Sequence, residues 1–209
     1  MNNLAEIFNI DLDKKMAVER AAELYVNGGL FIYPTDTIYG FGCNPFNNSA
    51  MKKLNNLKGR VSSKQYILLV ENVDMLRGYA DVPGKTLKIL NNIWPAPVST
   101  VLSLNRKTEK ILNHSTAAFR IPDHSFCHDL LDMIKSPLVS TSVNFSSEPP
   151  LMDGKSIVGS EFTKRVDAIF YSTKDLRSEA STLVDLTGDI PIILRKGKIN
   201  FMELWRKLS

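Results

Sequence analysis

The chain has 209 residues, 44% of them apolar, which is enough to bury a core as one domain. A formal net charge of +4 suits phosphate or RNA partners but lies far below that of a dedicated nucleic-acid-binding arm. No stretch approaches the roughly 20 apolar residues of a membrane span, and the N-terminus lacks the basic start of a signal peptide. The two cysteines, Cys43 and Cys127, match neither a disulfide framework nor a metal-ligand pattern, which favours reduced thiols in a cytoplasmic protein.

Helical and strand patterns alternate in the first part of the chain. Asp13 is suited to cap a helix that ends at Gly28-Gly29, and the apolar run Leu30–Tyr33 predicts a buried strand directly after it. Ser49 is expected to cap a second helix, which finishes in a basic turn that begins at Lys58. The next predicted elements are a strand over Tyr66–Val70, helices over Asn72–Tyr79 and Pro83–Ile93, and strands over Ser99–Leu104 and Ala117–Ile121.

The second part of the chain continues the alternation with shorter connections. A helix that carries Phe126 and Leu130 leads to a short strand over Pro137–Ser140, and residues 140–156 are the most loop-like segment. A weak helix is followed by predicted strands over Ala168–Tyr171, Thr182–Leu186 and Ile190–Arg195 and by a terminal helix over Asn200–Leu208. Strands interleaved with helices predict an α/β domain, and the short late connections favour a mixed sheet.

The segment after the first predicted strand is the most informative one. Pro34 ends the strand pairing, and the small polar residues Thr35–Thr37 follow at once. We expect Gly40 and Gly42 to loosen a loop there, at a strand end where open α/β sheets place ligand sites. The alternative is an ordinary turn in which Asp36 and the threonines bond their own backbone.

Several other predicted strand ends carry hydroxyls and cations, which together describe an anion site. Only three histidines are present, and none has the partners of a catalytic triad. His124 and His128 have zinc-ligand spacing, although a solvated helix surface explains them more simply. No P-loop motif is present, so a bound nucleotide would be held by dispersed residues.

Taken together, these stretches resemble the YrdC family of threonylcarbamoyl-AMP synthases. The first and fifth of the matching stretches are the specific ones, and all of them follow the order of the family. They are Pro34–Gly42, Lys58–Arg60, Trp94–Pro97, Phe119–His124, Ser140–Ser146, Ser178–Thr182 and Leu194–Gly197. The resemblance implies one domain over residues 1–209, with a core of roughly 14–199 and no extra C-terminal domain. It also implies an open, twisted α/β sheet flanked by helices, with a concave, basic face.

The resemblance further implies an activity and its residues. L-threonine, bicarbonate and ATP would give threonylcarbamoyl-AMP and pyrophosphate, and a partner transferase would carry the group to tRNA, which itself is a further expected ligand. Mg²⁺ would be bound through the phosphates, with no metal site of the protein's own. The implied threonine contacts are Thr35, Arg120, Ser140 and Ser181. The implied ATP contacts are Lys58, Ser62, Thr116, Ser142, Asn144 and Arg195, and the implied catalytic cations are Lys58, Arg60 and Arg195.

The sequence departs from the family pattern at several positions, and most exchanges are between small residues. Val61 stands in place of a proline, and Val143 and Ser147 are expected to crowd the nucleotide loop. The remaining departures are Ala96, Ser99 and Leu151.

Two alternatives to this synthase remain open. One is a non-catalytic RNA-binding module of the same fold, although no stacking aromatics or basic tracts stand out in the sequence. The other is a related enzyme that makes a different carbamoyl-adenylate.

Overall fold

A mixed sheet flanked by helices forms the centre of the molecule, as predicted from the sequence. The structure is a computed structural model, and it describes residues 4–59, 66–146, 148–174 and 179–208. Within these ranges, the strands are β1 (Glu6–Asn9), β2 (Phe31–Tyr33), β3 (Gly40–Gly42), β4 (Ile67–Leu69), β5 (Val98–Ser103), β6 (Thr116–Arg120), β7 (Leu138–Ser142), β8 (Ala168–Tyr171), β9 (Thr182–Asp185) and β10 (Ile192–Arg195).

The helices occupy the connections between these strands. They are α1 (Lys14–Val26), α2 (Asn48–Lys58), α3 (Val73–Arg77), α4 (Gly84–Ile93), α5 (Arg106–Leu112), α6 (Ser125–Ile134), α7 (Gly154–Val158) and α8 (Phe201–Leu208), with a 3₁₀ turn over Glu161–Lys164. None of the helices in the described ranges is long and apolar enough to cross a lipid bilayer.

The strand order across the described sheet is β1-β8-β2-β3-β7-β4-β6-β5-β9-β10. The pairs β1/β8, β2/β8, β4/β6 and β5/β9 are parallel, and the other neighbouring pairs are antiparallel. This mixture brings β7, β4, β6, β5 and β9 side by side, although they are far apart along the chain.

The two faces of the sheet are covered differently. Alternate side chains such as Ile32, Leu68 and Phe119 enter a core beneath one set of helices. On the opposite face, Phe31 and Leu69 pack in a second core together with residues of α1 and α6. These two helices cover only part of that face, and further along it the strands form the floor of an open cavity.

Gly40 and Gly42 belong to β3 and not to a loop, so the sequence-based expectation for them was wrong. β3 pairs with β2 in an antiparallel register, and a Cβ on Gly42 would lie 2.7 Å from ring atoms of Phe31 and Tyr33. The glycine is required because two aromatic rings lie directly against the β3 backbone. It provides room for packing, and it does not loosen the chain.

Three further local predictions differ from the structure. Asn47 caps α2, because its side chain accepts a hydrogen bond from the Ala50 N–H, and Ser49 lies inside the helix. β1 and α5 were not predicted. β1 is an exposed edge strand without an apolar run, and α5 is a short helix whose one buried residue is Thr108.

Candidate active site

A cavity of about 490 Å³ lies over the middle strands of the sheet, on the face that α1 and α6 leave uncovered. Its floor comes from β4, β5, β6 and β9, and its walls come from β7, β10 and the loop between β2 and β3. Hydroxyl groups and two arginines line it together with small apolar side chains. The polar and charged lining residues are Thr37, Tyr39, Tyr66, Thr116, Arg120, Ser140, Thr141, Ser142, Ser181, Asp185 and Arg195.

Arg120, the last residue of β6, is only 3% exposed and is held by the loop that follows β2. Its Nη1 donates to Thr37 Oγ1 at 2.9 Å, and its Nη2 donates to the carboxylate of Asp36. Among the described residues, Arg120 Nε and Asp36 Oδ2 are buried without a hydrogen-bond partner. Buried polar atoms usually have partners, so this ion pair retains hydrogen-bonding capacity that a ligand can use.

Arg195, the last residue of β10, lies on the other side of the cavity. Its Nε and Nη2 donate to the Ser181 carbonyl at 3.1 and 2.9 Å, and Nη2 also reaches Ser181 Oγ at 3.1 Å. Ser181 Oγ is in turn 2.8 Å from Oγ of the fully buried Ser99. Arg195 is exposed overall, yet partial burial of its guanidinium and the nearby charge of Arg120 lower its pKa. The two like charges favour an anion between them.

Lys58, at the end of α2, lies behind the cavity wall and is 1% exposed. Its Nζ donates to the Ser142 carbonyl at 2.9 Å, to the Asn144 carbonyl at 2.8 Å and to Asn144 Oδ1 at 2.7 Å. Ser142, whose hydroxyl donates to the same Asn144 Oδ1 at 2.6 Å, does line the cavity. Lys58 is therefore linked to the cavity through the loop after β7.

Thr35 is a buried member of the loop after β2, and it lies outside the cavity lining. Its Oγ1 donates to the Ile38 carbonyl at 2.7 Å and lies 2.9 Å from Thr37 Oγ1. The structure therefore has features of both interpretations of this loop, the self-bonded turn and the loop beside a cavity. The threonines bond the loop's own backbone, and the shaped loop presents Thr37 to the cavity and Asp36 to Arg120.

The cavity gathers six of the residues that the sequence singled out, and these are Thr116, Arg120, Ser140, Ser142, Ser181 and Arg195. Thr35, Lys58 and Asn144 lie in the layer behind it. Arg60, Val61, Ser62 and Ser147 fall outside the described residues. Asp36, Thr37 and Ser99 belong to the same network although none was chosen as a site residue. The sequence feature that could have identified Asp36 and Thr37 as site residues is their position directly after a buried strand.

Two other sequence-based interpretations change in the structure. Val143, expected to crowd the nucleotide loop, is fully buried in the core beneath the sheet and does not line the cavity. His124 precedes α6, is half-buried, and has an Nδ1 atom that lacks a partner among the described residues. Burial lowers its pKa, so it is not part of a solvated helix surface. No group of three or more His, Cys, Asp or Glu residues suited to a metal occurs in the described ranges.

These features define a mixed α/β protein with a cavity on one face of its sheet that is lined by hydroxyl groups, two arginines and Asp185. The family model for Sua5, YciO and YrdC proteins, described as "Telomere recombination", matches residues 23–197. The chain belongs to this family, and the resemblance read from the sequence motifs is confirmed.

Several solved structures share the fold. P. abyssi Sua5 complexed with L-threonine has a TM-score of 0.86 at 24% identity, over 98% of this chain and 60% of that one. E. coli YciO has a TM-score of 0.82 at 24% identity, over 93% and 96% of the two chains. MTH1692 from Methanobacterium thermoautotrophicum has a TM-score of 0.66 at 30% identity, over 87% and 86%. The chain thus spans about six tenths of the length of P. abyssi Sua5.

Proposed function

We propose that this protein makes threonylcarbamoyl-AMP from L-threonine, bicarbonate and ATP, with release of pyrophosphate, for the modification of tRNA. The observation that carries the proposal is the convergence in one cavity of Arg120, Arg195 and the hydroxyls of four dispersed segments. An anionic amino acid derivative and a nucleotide phosphate are both suited to such a lining, because cations and hydroxyls stabilise negatively charged oxygens.

The threonine end of the cavity is assigned to Arg120, Ser140 and Ser181. Arg120 would bind the substrate carboxylate through guanidinium N–H groups that do not donate to Asp36 or Thr37. Ser140 and Ser181 supply hydroxyls at the cavity surface, and Thr35 supports the loop behind it. That a related structure, P. abyssi Sua5, was solved with L-threonine supports this choice of amino acid.

The nucleotide end is assigned to Arg195, Thr116 and Ser142, supported from behind by Asn144. Arg60 and Ser62 remain proposed contacts that lie outside the described residues. When bound, Mg²⁺ would neutralise phosphate charge, and because it prefers phosphate oxygens and water it needs few protein ligands. Asp185 is the one carboxylate among the described residues that line this cavity.

The chemistry suits a site that offers charge and no strong base. The amine of threonine first forms a bond to the carbon of bicarbonate, and water leaves to give the carbamate. A carbamate oxygen then attacks the α-phosphorus of ATP, the new P–O bond forms, and pyrophosphate leaves with the electrons of the broken P–O bond. The nucleophile is already anionic, so alignment and charge neutralisation limit the rate. Arg120 would orient the amino acid, and Arg195 would stabilise the phosphate oxygens.

Pyrophosphate release from ATP tests the proposal. We expect release that requires both L-threonine and bicarbonate, with threonylcarbamoyl-AMP detected by mass spectrometry. Release with a different amino acid would favour a related carbamoyl-adenylate synthase. No release, together with tight binding of tRNA, would favour the RNA-binding module.

A further inference from the structure

Ser99 is a fully buried serine on β5, and its side chain lies on the same face of the sheet as the cavity. It is in register with Leu183 of β9, and both Leu183 and Val101 line the cavity. Because side chains alternate between the two faces of a strand, the neighbouring Thr100 faces the core beneath the sheet instead. Ser99 Oγ lies 2.8 Å from Oγ of Ser181, the residue directly before β9. Ser99 therefore lies one layer behind a hydroxyl group that lines the cavity.

Ser181 is also held by Arg195. The guanidinium donates to the Ser181 carbonyl through Nε at 3.1 Å and through Nη2 at 2.9 Å, and Nη2 also contacts Ser181 Oγ at 3.1 Å. A guanidinium has no acceptor atom, so Ser181 Oγ is the acceptor in this last contact. Arg195 thus occupies one of the two lone-pair positions of the Ser181 hydroxyl oxygen.

The direction of the hydrogen bond between Ser99 and Ser181 follows from a count of donors. If Ser181 were the donor, the hydroxyl hydrogen of Ser99 would need another acceptor, and in the described part of the chain Ser99 Oγ has no second partner. Ser99 is 0% exposed, so this hydrogen would be buried without a hydrogen bond. A buried donor without an acceptor is costlier than an oxygen with one unused lone pair. Ser99 is therefore the donor, and it occupies the second lone-pair position of Ser181 Oγ.

This arrangement leaves Ser181 with its own hydroxyl hydrogen to offer. Within the described residues, Ser181 Oγ contacts Ser99 and Arg195 and has no further partner that could accept this hydrogen. Since Ser181 lines the cavity, the hydrogen is available to a bound ligand. Such a donor suits a negatively charged oxygen, and it cannot receive a hydrogen bond from an ammonium group.

We propose that Ser99 is a positioning residue, which fixes Ser181 as a hydrogen-bond donor to a negatively charged oxygen of the substrate. The identity of that oxygen, the threonine carboxylate, rests on the proposed function, whereas the direction of the hydrogen bonds does not. The donor is prepared before the ligand binds, so that binding does not have to pay for ordering it. Ser99 itself does not contact the ligand.

The first test needs no ligand. Neutron diffraction from a deuterated crystal of the free protein locates the hydroxyl deuterium atoms, whose positions decide the direction of each hydrogen bond. We expect the deuterium of Ser99 on the line to Ser181 Oγ and the deuterium of Ser181 directed into the cavity. A Ser181 deuterium on the line to Ser99 Oγ would overturn the proposal.

The second test measures calorimetric dissociation constants of L-threonine. In Ser99→Ala the Ser181 hydroxyl is free to turn, and we expect binding to weaken by about fivefold, the scale of one hydrogen bond. Ser99→Thr retains the hydroxyl and should restore the affinity. The matched control is Thr100→Val, which removes a buried hydroxyl from the same strand. In the described structure Thr100 Oγ1 has no hydrogen-bond partner, so this variant should bind threonine like the wild type. Wild-type affinity in Ser99→Ala would overturn the proposal.

A double-mutant cycle shows whether Ser99 acts through Ser181. In the Ser181→Ala background, Ser99→Ala should weaken threonine binding no further, because the hydroxyl that it orients is already absent. Multiplicative losses would mean that Ser99 acts independently of Ser181 and would overturn the proposal. If the wild type does not bind threonine, the proposed function fails. In that case, or if Ser99→Ala does not fold, the deuterium positions still decide the role of Ser99.

Discussion

Lys58 and Arg120 are both buried cations close to the cavity, yet their surroundings differ in kind. Lys58 Nζ donates to three neutral oxygens of the loop after β7. Arg120 faces the carboxylate of Asp36 and the hydroxyl of Thr37, and in the described part of the chain its Nε has no partner. The lysine thus donates to oxygens of the protein, whereas the arginine retains N–H groups that a ligand can use.

The difference indicates that two buried cations can have different roles in one binding site. A cation whose donors are all engaged organises the protein and supplies charge at a distance. A cation with a remaining donor and a fixed fork can make a directional contact with a carboxylate. Loss of Arg120 should therefore affect one substrate, and loss of Lys58 should affect the loop first.

The largest effect is expected for Arg120→Ala. Removing the guanidinium should raise the KM for threonine by about 100-fold, because one hydrogen bond to a charged group contributes about 1.5–3 kcal/mol, and should change the KM for ATP little. Initial rates of pyrophosphate release against each substrate provide the measurement. The exposed Arg106→Ala serves as the control. An unchanged threonine KM in Arg120→Ala would remove Arg120 from the site.

Gly197→Ala extends the comparison to the third cation, Arg195. A Cβ at Gly197 would lie 2.3 Å from the Ala180 carbonyl, so the segment that carries Arg195 and contacts Ser181 must shift. We expect kcat/KM for ATP to fall by about tenfold and the free energy of unfolding by about 1–3 kcal/mol.

The matched control for this variant is Gly188→Ala, where a Cβ would meet nothing within 4 Å. Equal effects of the two substitutions on kcat/KM would show that the position of Arg195 does not matter.

Asp36→Asn tests the pairing of Arg120 directly. The amide oxygen can still accept the Nη2 hydrogen bond, so the geometry is kept while the competing negative charge is removed. We expect threonine to bind about fivefold more tightly and the free energy of unfolding to fall by about 1–3 kcal/mol, because a buried charge loses its partner. Calorimetry with threonine and urea denaturation measure the two effects. Weaker threonine binding would mean that the Asp36 charge assists the substrate.

The smallest effect is expected for the buried thiol of Cys43. Burial raises the pKa of the Cys43 thiol from 9.0 to about 12. The unfolded chain loses its thiol proton at lower pH than the folded protein, so the contribution of Cys43 to stability is complete below pH 9.0 and is lost as pH rises towards about 12. Between pH 8 and pH 10, the free energy of unfolding should fall by about 1 kcal/mol less in Cys43→Ala than in the wild type. Equal losses in urea denaturation would contradict the raised pKa.

An element of the fold could be predicted from the sequence where a local run of apolar residues indicates that it is buried. The apolar run Ala168–Tyr171 was predicted with its observed bounds, since a strand covered on both faces needs apolar residues throughout. β1 and β3 carry no such run, because β1 is an exposed edge and β3 needs Gly42 where two aromatic rings of β2 lie against it. Their recognition needs tertiary contacts.

The candidate site also has some residues that a local sequence motif predicts and others that only tertiary contacts identify. The sequence predicted that Thr35, Lys58, Arg120, Ser142 and Arg195 would converge. The structure brings Arg120, Ser142 and Arg195 together in one cavity and places Thr35 and Lys58 in the layer behind it. The bonds of Lys58 to residues 84 and 86 positions further along the chain have no local signal. The basic, concave face remains a prediction.

A crystal structure with L-threonine and a non-hydrolysable ATP analogue tests the central claim most directly. The account predicts the threonine carboxylate at Arg120 and the nucleotide phosphates at Arg195 and Ser142. A threonine carboxylate bound away from Arg120, or either ligand bound away from the cavity, would contradict it.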